Sequence, residues 1–369
     1  MNAVRTQAAL YEEIDLELSW SEAELPERER TKHVHRLHPY LGKFVPQLVE
    51  VFLGRYGRPG GLVWDPFSGS GTTLVEANAF GAPASGCDVS AFNCLLARVK
   101  TAEYDRELLL ADVVALSAPG VAAERDAPSE YLTSWFAPRA LAELLAFRAR
   151  IEHTSYPDLW RVVLSRAARS ARLTRHFDLD FPAEPVRGEY FCHKHRRTCR
   201  PVEEAGKFLR RYVRDAVSRV LAFDEVRRSS EATVLHGDAR ALDPPGPVGL
   251  VVTSPPYPGL IDYHEQHRHA YELLGLDDRR ERELGAAARG TSKAAVEEYV
   301  AGIAAVLARS KAALRPGAPV CIVVNDRRGL YPELLDRAGL RLDERLERHV
   351  NRRTGRRAGE YFESILICR

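Results

Sequence analysis

Several features that mark other protein classes are missing from this sequence. No stretch approaches the ~20 apolar residues of a membrane-spanning helix, and the first residues lack the basic-plus-apolar pattern of a secretory signal peptide. The six cysteines are scattered over 369 residues, which argues against a disulfide framework. We therefore expect a cytoplasmic protein without a membrane partner.

The net charge of the chain gives little information about its binding partners. A net charge of +2 is too small to indicate a polyanionic partner by itself. Hydrophobic residues make up 45% of the chain and charged residues 28%, values typical of a globular protein with a substantial core. Evidence for a partner must therefore come from the local distribution of charge.

Two short polar turns each follow a strand-like run. Asp65–Thr73 follows Leu62–Trp64, and Thr253–Tyr257 follows Leu250–Val252. Such turns, at the carboxyl ends of strands, are where an open α/β sheet binds its ligands. The first turn is not a P-loop, which needs Lys before Thr72, and it is not a dinucleotide fingerprint, because position 74 is Leu.

The pattern along the chain predicts one α/β domain that is interrupted. Residues 1–32 are interpreted as an N-terminal arm, and strand–turn–helix patterns recur over 33–104. Residues 105–232 are mostly helical by pattern, with an irregular patch from Phe181 to Pro201, and sheet-like sequence resumes over 233–369. Leu342–Val350 and Tyr361–Cys368 alternate in polarity, which predicts a C-terminal antiparallel hairpin.

Together the two turns resemble the cofactor and catalytic loops of the DNA amino-methyltransferases, enzymes that methylate the exocyclic amine of a base. The matching forms are Asp-Pro-Phe-x-Gly-Ser-Gly-Thr-Thr and Ser-Pro-Pro-Tyr. The resemblance implies a class I, Rossmann-like methyltransferase sheet and S-adenosylmethionine as cofactor. It makes 33–104 the cofactor-binding part, 233–369 the catalytic part, and the helical insertion at 105–232 the candidate for recognition of the DNA sequence. The order of these parts is similar to the family's α-type arrangement, although the strand before Asp238 here follows the insertion.

The same resemblance assigns the cofactor-binding residues. It places Asp65 near the methionine ammonium, Asp88 at the ribose hydroxyls and Asp238 at the adenine, although an ordinary strand-end aspartate also explains Asp238. Phe44 belongs to a Phe-x-Pro segment that packs on the cofactor in the family. The complete candidate set is Phe44, Asp65, Pro66, Phe67, Gly69, Gly71, Thr72, Thr73, Asp88, Val89 and Asp238.

The second turn carries the candidate catalytic residues Ser254, Pro255, Pro256 and Tyr257. A hydroxyl and a carbonyl aimed at the N–H groups of a base amine would stabilise the charge that develops during direct methyl transfer. The ring of Tyr257 offers a face for a base flipped out of the duplex. C5-cytosine chemistry is excluded, because it needs a Pro-Cys dipeptide and none occurs. Ser-Pro-Pro-Tyr favours N4 of cytosine, with N6 of adenine, an RNA amine or an inactive nucleic-acid-binding homologue as alternatives.

Basic residues in two regions are candidates for DNA binding. Residues 151–232 hold 17 Arg and Lys against 12 Asp and Glu. A helix would bring the arginines that recur at every third position into one stripe, which suits phosphate contacts or simply a solvated face. A second cluster lies in the predicted C-terminal hairpin. The candidates are Arg166, Arg169, Arg172, Arg175, Arg352 and Arg353.

Two further expectations concern partners and metals. Double-stranded DNA is the expected partner, and the resemblance allows a cognate restriction endonuclease that is not held in a complex. Cys192, His195 and Cys199 have residue types that bind zinc, but a fourth ligand is missing from their segment, so we expect no metal. Asp262–His269 is also rich in histidine, and we expect it to order the catalytic loop or contact substrate.

Overall fold

The computed structural model describes residues 19–20, 25–42, 45–117, 127–176, 178–179, 182–229, 231–259, 261–286, 290, 292–350 and 361–369. The strands are β1 Val63–Asp65, β2 Ala84–Asp88, β3 Tyr190–Cys192, β4 Arg197–Cys199, β5 Ala232–His236, β6 Leu250–Thr253, β7 Val320–Val324, β8 Leu342–Val350 and β9 Tyr361–Cys368.

The α-helices of the described residues are α1 Glu27–Arg30, α2 Pro46–Tyr56, α3 Thr72–Phe80, α4 Ala91–Thr101, α5 Arg106–Ser117, α6 Glu130–Trp135, α7 Pro138–Ile151, α8 Pro157–Ala171, α9 Gly206–Asp224, α10 Tyr263–Gln266, α11 Arg268–Leu274, α12 Lys293–Ala312 and α13 Tyr331–Arg337. Short 3₁₀ turns occupy His33–Arg36 and Arg280–Arg282. None of the described helices combines the length and the apolar character that crossing a membrane requires.

Seven strands form one twisted sheet in the order β5-β2-β1-β6-β7-β9-β8. The first five of these run parallel, and β9 pairs antiparallel with both β7 and β8. The predicted α/β class and the C-terminal hairpin are therefore confirmed. Chain order reverses at β1, which lies between β2 and β6, and this is the switch point where open sheets bind ligands.

The two faces of the sheet are buried by different helices because strand residues alternate in direction. Val63, Val252 and Val323 pack on the side of α2 and α3. Trp64 and Ile322 point the other way, toward α12 and α13. This double cover explains the continuous β-branched runs of the central strands, which are buried on both sides.

The helices of the insertion share a core with the sheet domain. Phe92, Leu96 and Val99 of α4 lie in one apolar cluster with Trp160 of α8 and Val213 of α9. The mostly helical prediction for 105–232 agrees with α5 to α9, but the irregular patch contains a small separate sheet. In it β3 pairs antiparallel with β4, and we call residues 190–199 the Cys-His hairpin.

Candidate active site

A pocket opens where the carboxyl ends of β1, β2, β5 and β6 meet, and we call it the strand-end pocket. The space between its walls is about 600 Å³, including the part open to solvent. Its walls combine apolar side chains with a few carboxylates and hydroxyls. The lining residues are Tyr40, Pro66, Phe67, Gly69, Asp88, Val89, Ser90, Asn93, Gly237, Asp238, Ala239, Ser254, Pro256, Tyr263, Arg282, Glu283 and Leu284.

The loop between β1 and α3 needs its glycines. Gly71 has φ +77° and precedes α3, and a Cβ there would lie 2.9 Å from Ala97 of α4. A Cβ on Gly69 would come within 2.9 Å of the Tyr40 hydroxyl. The buried Lys100 ammonium donates to the Ser70 carbonyl at 2.7 Å. The loop is thus held close to α4, with its backbone facing the pocket at Gly69.

Asp65 does not line the pocket, in contrast to neighbouring Pro66 and Phe67. Its carboxylate is buried and accepts hydrogen bonds from the Thr253 hydroxyl at 2.7 Å and the Phe67 amide at 3.1 Å. Burial raises the pKa of Asp65 to about 6, against hydrogen bonds that favour ionisation. The side chain therefore ties the first turn to the last residue of β6.

Thr72 and Thr73 are likewise buried in the first turn of α3 and do not line the pocket. The Thr73 hydroxyl donates to the Val252 carbonyl at 3.2 Å. Thr73, a predicted cofactor residue, thus braces the first turn against β6. Phe44, the remaining member of that candidate set from the N-terminal segment, lies outside the described residues.

Asp88 is at the centre of the cofactor side of the pocket. Its carboxylate accepts from the Gly69 amide at 2.9 Å, the Ser90 amide at 2.8 Å and the Asn93 side chain at 3.2 Å. Burial raises the pKa of Asp88 to about 6. One residue thus links the ends of β1 and β2, and Val89 lines the pocket beside it.

Asp238 faces the same pocket from the segment after β5. Both of its carboxylate oxygens accept from the Arg240 guanidinium, at 2.6 to 3.0 Å. Partial burial opposes ionisation, but these bonds outweigh it and lower the pKa of Asp238. A carboxylate that favours its ionised form therefore lines the same pocket as Asp88.

The second turn enters the pocket through Ser254 and Pro256. Pro255 between them is buried. Tyr257 is half-buried and packs against the apolar cluster beneath β6 and β7. The structure brings Ser254 into one pocket with Phe67 and Asp88, although the two turns are far apart in the sequence.

A pair of tyrosines that sequence reasoning missed forms one wall. Tyr40 stacks on Tyr263, with ring centroids 5.7 Å apart and planes 15° apart, and its hydroxyl accepts from the Asn93 side chain at 3.1 Å. The Tyr263 amide donates to Glu283 at 2.8 Å. Tyr40 lies four residues before Phe44, so a local signal existed. Tyr263 lies in the Asp262–His269 segment that was expected to order the catalytic loop or contact substrate, whereas Glu283 carried no signal.

The histidine-rich segment lies behind this wall. His264 shares a hydrogen bond of 3.0 Å with Glu283, which also holds Tyr263. His267 stacks on Tyr40, with centroids 5.8 Å apart. Burial, together with the nearby charges of Arg169 and Arg172, lowers the pKa of His267 to about 3. The segment thus packs neutral histidine against the pocket wall.

The arginines that were predicted to form one stripe on a helix do not share one exposed surface. Helix α8 ends at Ala171, so only the first two of its four arginines are helical. Arg166 pairs with Asp215 at 2.5 Å and lies over the Tyr212 ring at 4.1 Å. Arg172 is 3% exposed and donates to the Leu179 carbonyl.

Within this group Arg169 is half-buried and Arg175 is exposed. The four arginines therefore do not form one exposed stripe, because packing of α8 against α9 uses Arg166 and the chain after α8 encloses Arg172. Their contact with DNA stays a prediction. Arg352 and Arg353, predicted on the C-terminal hairpin, lie outside the described residues.

Comparison with known proteins identifies the family of the chain. The N6/N4 family model, described as DNA methylase, matches residues 5–98. The chain is 35% identical to the Type II methyltransferase M.MjaII of Methanocaldococcus jannaschii over 446 aligned positions, covering 96% of this chain and 84% of that relative.

Solved structures with lower similarity include two methyltransferases. TrmN from Thermus thermophilus is 15% identical with a TM-score of 0.32, and the match covers 89% of this chain and 49% of TrmN, so the chain spans about half of that protein. The rRNA methyltransferase aviRa from Streptomyces viridochromogenes is 14% identical with a TM-score of 0.32, over 90% of this chain and 88% of that one.

Proposed function

We propose that this chain, which belongs to the DNA amino-methyltransferases of the N6/N4 family, methylates the N4 amine of a cytosine flipped out of double-stranded DNA. The observation that carries the proposal is the single pocket shared by the two turns. Ser254 and Pro256 line it together with Phe67 and Asp88. A methyl donor held by the first turn and an amine held by the second can therefore meet.

S-adenosylmethionine, the cofactor of this class I methyltransferase fold, supplies an electrophilic methyl group when bound. The pocket suits such a molecule, since it joins apolar Phe67 and Val89 with the carboxylates of Asp88 and Asp238. We assign Asp88 to the ribose hydroxyls and Asp238 to the adenine side. Asp65, which is buried and bonded to Thr253, positions the loop and has an indirect effect on the cofactor.

The amine of cytosine is a weak nucleophile because its lone pair is delocalised into the ring. In our proposal the Ser254 hydroxyl and the Pro255 carbonyl accept hydrogen bonds from the amine N–H groups, which stabilises positive charge as the methyl group transfers. Pro256 fixes the direction of the Pro255 carbonyl. Positioning and electrostatics supply the rate, with no covalent enzyme intermediate.

The shape of the site supports base flipping. Ser254 lies at a recessed edge of the sheet, among walls from β1, β2 and β5. An amine within a stacked duplex does not reach such a recess, so in our proposal the base leaves the helix. We assign the ring of Tyr257, beside this recess, to stacking on the extruded cytosine.

Recognition of the DNA sequence is proposed for the insertion. The end of α8 lies near the pocket, because Arg169 and Arg172 act electrostatically on His267, which stacks on Tyr40. Beyond it come the exposed Arg175 and the basic Cys-His hairpin with exposed Lys194, Arg196 and Arg197. These charges suit phosphate contacts beside the pocket.

One assay tests the reaction and its target. The protein is incubated with labelled S-adenosylmethionine and, in parallel reactions, duplex DNA or RNA of mixed sequence, and each nucleic acid is then digested to nucleosides. Label in N4-methylcytosine supports the proposal. Label in N6-methyladenine, label only in RNA, or DNA binding without label would each overturn it.

A biological role in restriction-modification is part of the proposal. Methylation at the target sequence would protect DNA from a cognate endonuclease that cuts the same site. DNA from cells that express the protein should resist one or more sequence-matched endonucleases. Unchanged cleavage by all of those that cut at the methylated site would contradict this role.

A further inference from the structure

Four metal-binding side chains meet at the Cys-His hairpin. Cys192 and Cys199 lie on its two strands and His195 lies in its turn. The fold adds His176, from the segment after α8. One donor atom from each of the four lies within 4.8 Å of all the others. Sequence reasoning lacked a fourth ligand, because His176 lies outside the compact Cys-x-x-His-x-x-x-Cys segment.

The distances among these donors match a tetrahedral metal centre. Nδ1 of His195 is 3.6 Å from Sγ of Cys192 and 3.5 Å from Sγ of Cys199. Nδ1 of His176 is 3.7 Å from Sγ of Cys192. Zinc bonds of about 2.3 Å to sulfur and about 2.0 Å to nitrogen, at tetrahedral angles, place sulfur and nitrogen about 3.5 Å apart. These three distances therefore match those expected between the ligands of a tetrahedral zinc ion.

The backbone holds the ligands in this arrangement. The His195 amide donates to the Cys192 carbonyl at 3.2 Å, and Arg196 has φ +51°, which closes the turn. Tyr190 pairs with Cys199 across the hairpin, and its hydroxyl accepts from the His176 amide at 3.0 Å. The Tyr190 hydroxyl thus ties His176 to strand β3, which carries Cys192.

The hairpin has little else to stabilise it. Its strands have three residues each, and its apolar cluster consists of Tyr190, Cys192 and Cys199 with Val186 beside them. A lone two-stranded hairpin of this kind is at best marginally stable in water. A structural zinc ion supplies the folding free energy that so small a core cannot.

A second group of possible ligands is a poorer candidate. His33, His35 and Glu76 also lie close together. However, the Lys32 ammonium pairs with Glu76 at 2.9 Å, and His35 shares a hydrogen bond of 2.6 Å with the same carboxylate. A cation would have to displace Lys32, whereas the Cys-His hairpin presents thiols and imidazoles.

We propose that His176, Cys192, His195 and Cys199 bind one structural zinc ion that orders the insertion beside the strand-end pocket. Soft sulfur and imidazole donors select zinc over magnesium or calcium. Binding releases the two thiol protons, so the centre of one divalent ion, two thiolates and two neutral imidazoles has no net charge. Four protein ligands close the site, which assigns it to structure rather than catalysis.

Metal analysis of the full-length protein tests the site directly. The chain purified from zinc-supplemented cells should contain about one zinc per molecule. Cobalt substitution should give the visible bands of a tetrahedral ion and thiolate charge-transfer absorption. Cys199→Ser and His176→Ala should lose most of the zinc, and the matched control His193→Ala, an exposed residue of the same hairpin, should keep it.

A second measurement applies even if these variants fold poorly. A zinc-selective chelator should expose the wild-type hairpin to trypsin at Lys194, Arg196 and Arg197, and added zinc should restore protection. Zinc-free wild-type protein with no cobalt spectrum would overturn the proposal. Full zinc content in a Cys192→Ser/Cys199→Ser double variant, or cleavage that ignores the chelator, would do the same.

Discussion

The Thr253 hydroxyl donates to Asp65 at 2.7 Å and so joins side chains 188 residues apart in the chain. Thr253 is followed directly by Ser254, whose hydroxyl is proposed to accept from the target amine. The bond therefore sets the distance between the cofactor turn and the catalytic turn. Placement within a few tenths of an ångström matters here, because the proposed catalysis is mostly positioning.

Replacement of Ser254 by alanine tests the proposed acceptor. Losing one such hydrogen bond should lower kcat roughly 10²- to 10³-fold, with little change in the Kd for S-adenosylmethionine. Methyl transfer is measured with labelled cofactor, and binding by calorimetry. Ser254→Thr keeps a hydroxyl and should retain more activity than the alanine variant. Weakened cofactor binding with unchanged kcat would contradict the assigned role.

Replacement of Asp65 by asparagine tests the buried carboxylate through pH. The pKa of Asp65 rises from 3.8 to about 6 in the fold, so between these values the native state holds the proton more tightly than the unfolded state. Stability from this group is present at low pH and is lost as pH rises toward 6.

The wild type should therefore lose roughly 2.4 kcal/mol of unfolding free energy relative to Asp65→Asn between pH 4 and pH 7, at about 1.4 kcal/mol per pKa unit. Urea unfolding of both proteins across this range gives the difference. A difference in unfolding free energy that is independent of pH would show that Asp65 is not perturbed.

The sequence predicted which residues line the pocket more accurately than it predicted the role of each residue. Phe67, Gly69, Asp88 and Ser254 lie in the pocket, as their positions at strand ends predict. Asp65 proved to be a buried link, because the residue opposite it comes from β6, which the local pattern cannot reveal. The contact between Tyr40 and Tyr263 depends in the same way on packing between distant segments.

The turn before helix α3 requires glycine at position 71. At Gly71 the left-handed φ of +77° combines with a contact of 2.9 Å between an added Cβ and Ala97. Gly60 has a similar φ of +73° but open space around it. Alanine at position 60 would therefore report the cost of the left-handed backbone alone, whereas alanine at position 71 would add a steric clash.

Gly71→Ala should destabilise the protein by roughly 3 kcal/mol, and Gly60→Ala by about 1 kcal/mol, since only the first adds a clash to the left-handed penalty. Gly71→Ala should also weaken cofactor binding, because the loop must move away from α4. Thermal unfolding and calorimetry give both values. Equal destabilisation by the two substitutions would rule out the close approach of α3 to α4.

The sequence predicted elements with strong hydrophobic patterns more closely than elements formed by packing. The two strands of the terminal hairpin, β8 and β9, occupy the predicted residues. The arginine spacing of three suggested a helix through Arg175, but α8 stops at Ala171. Arg172 then turns inward to the Leu179 carbonyl, an interaction that no periodicity encodes.

At the scale of the whole molecule, two pairs of exposed arginines lie in different places. Arg196 and Arg197 are exposed on the Cys-His hairpin. Arg55 and Arg58 are also exposed, but they precede β1 at its amino end, opposite the strand-end pocket. The two pairs carry equal charge and differ in location, which makes them a matched test of where DNA binds.

The double variant Arg196→Ala/Arg197→Ala should weaken DNA binding and lower the slope of log K against log salt by about 2, since each phosphate contact contributes about 0.9. Arg55→Ala/Arg58→Ala should leave both quantities unchanged. Fluorescence anisotropy at several salt concentrations measures them. Equal losses in the two variants would place the DNA elsewhere.

Helices α8 and α9 lie side by side and antiparallel, with Ser170 bonded to Tyr212 and Arg166 to Asp215. The chain therefore leaves this pair at Ala171 and returns at Gly206, two neighbouring points. Residues 172–205, which we call the cassette, therefore start and end at the same pair of helices. Recombination between related genes could exchange that cassette, and with it the proposed DNA target, while the methyl-transfer chemistry passed unchanged to the descendant.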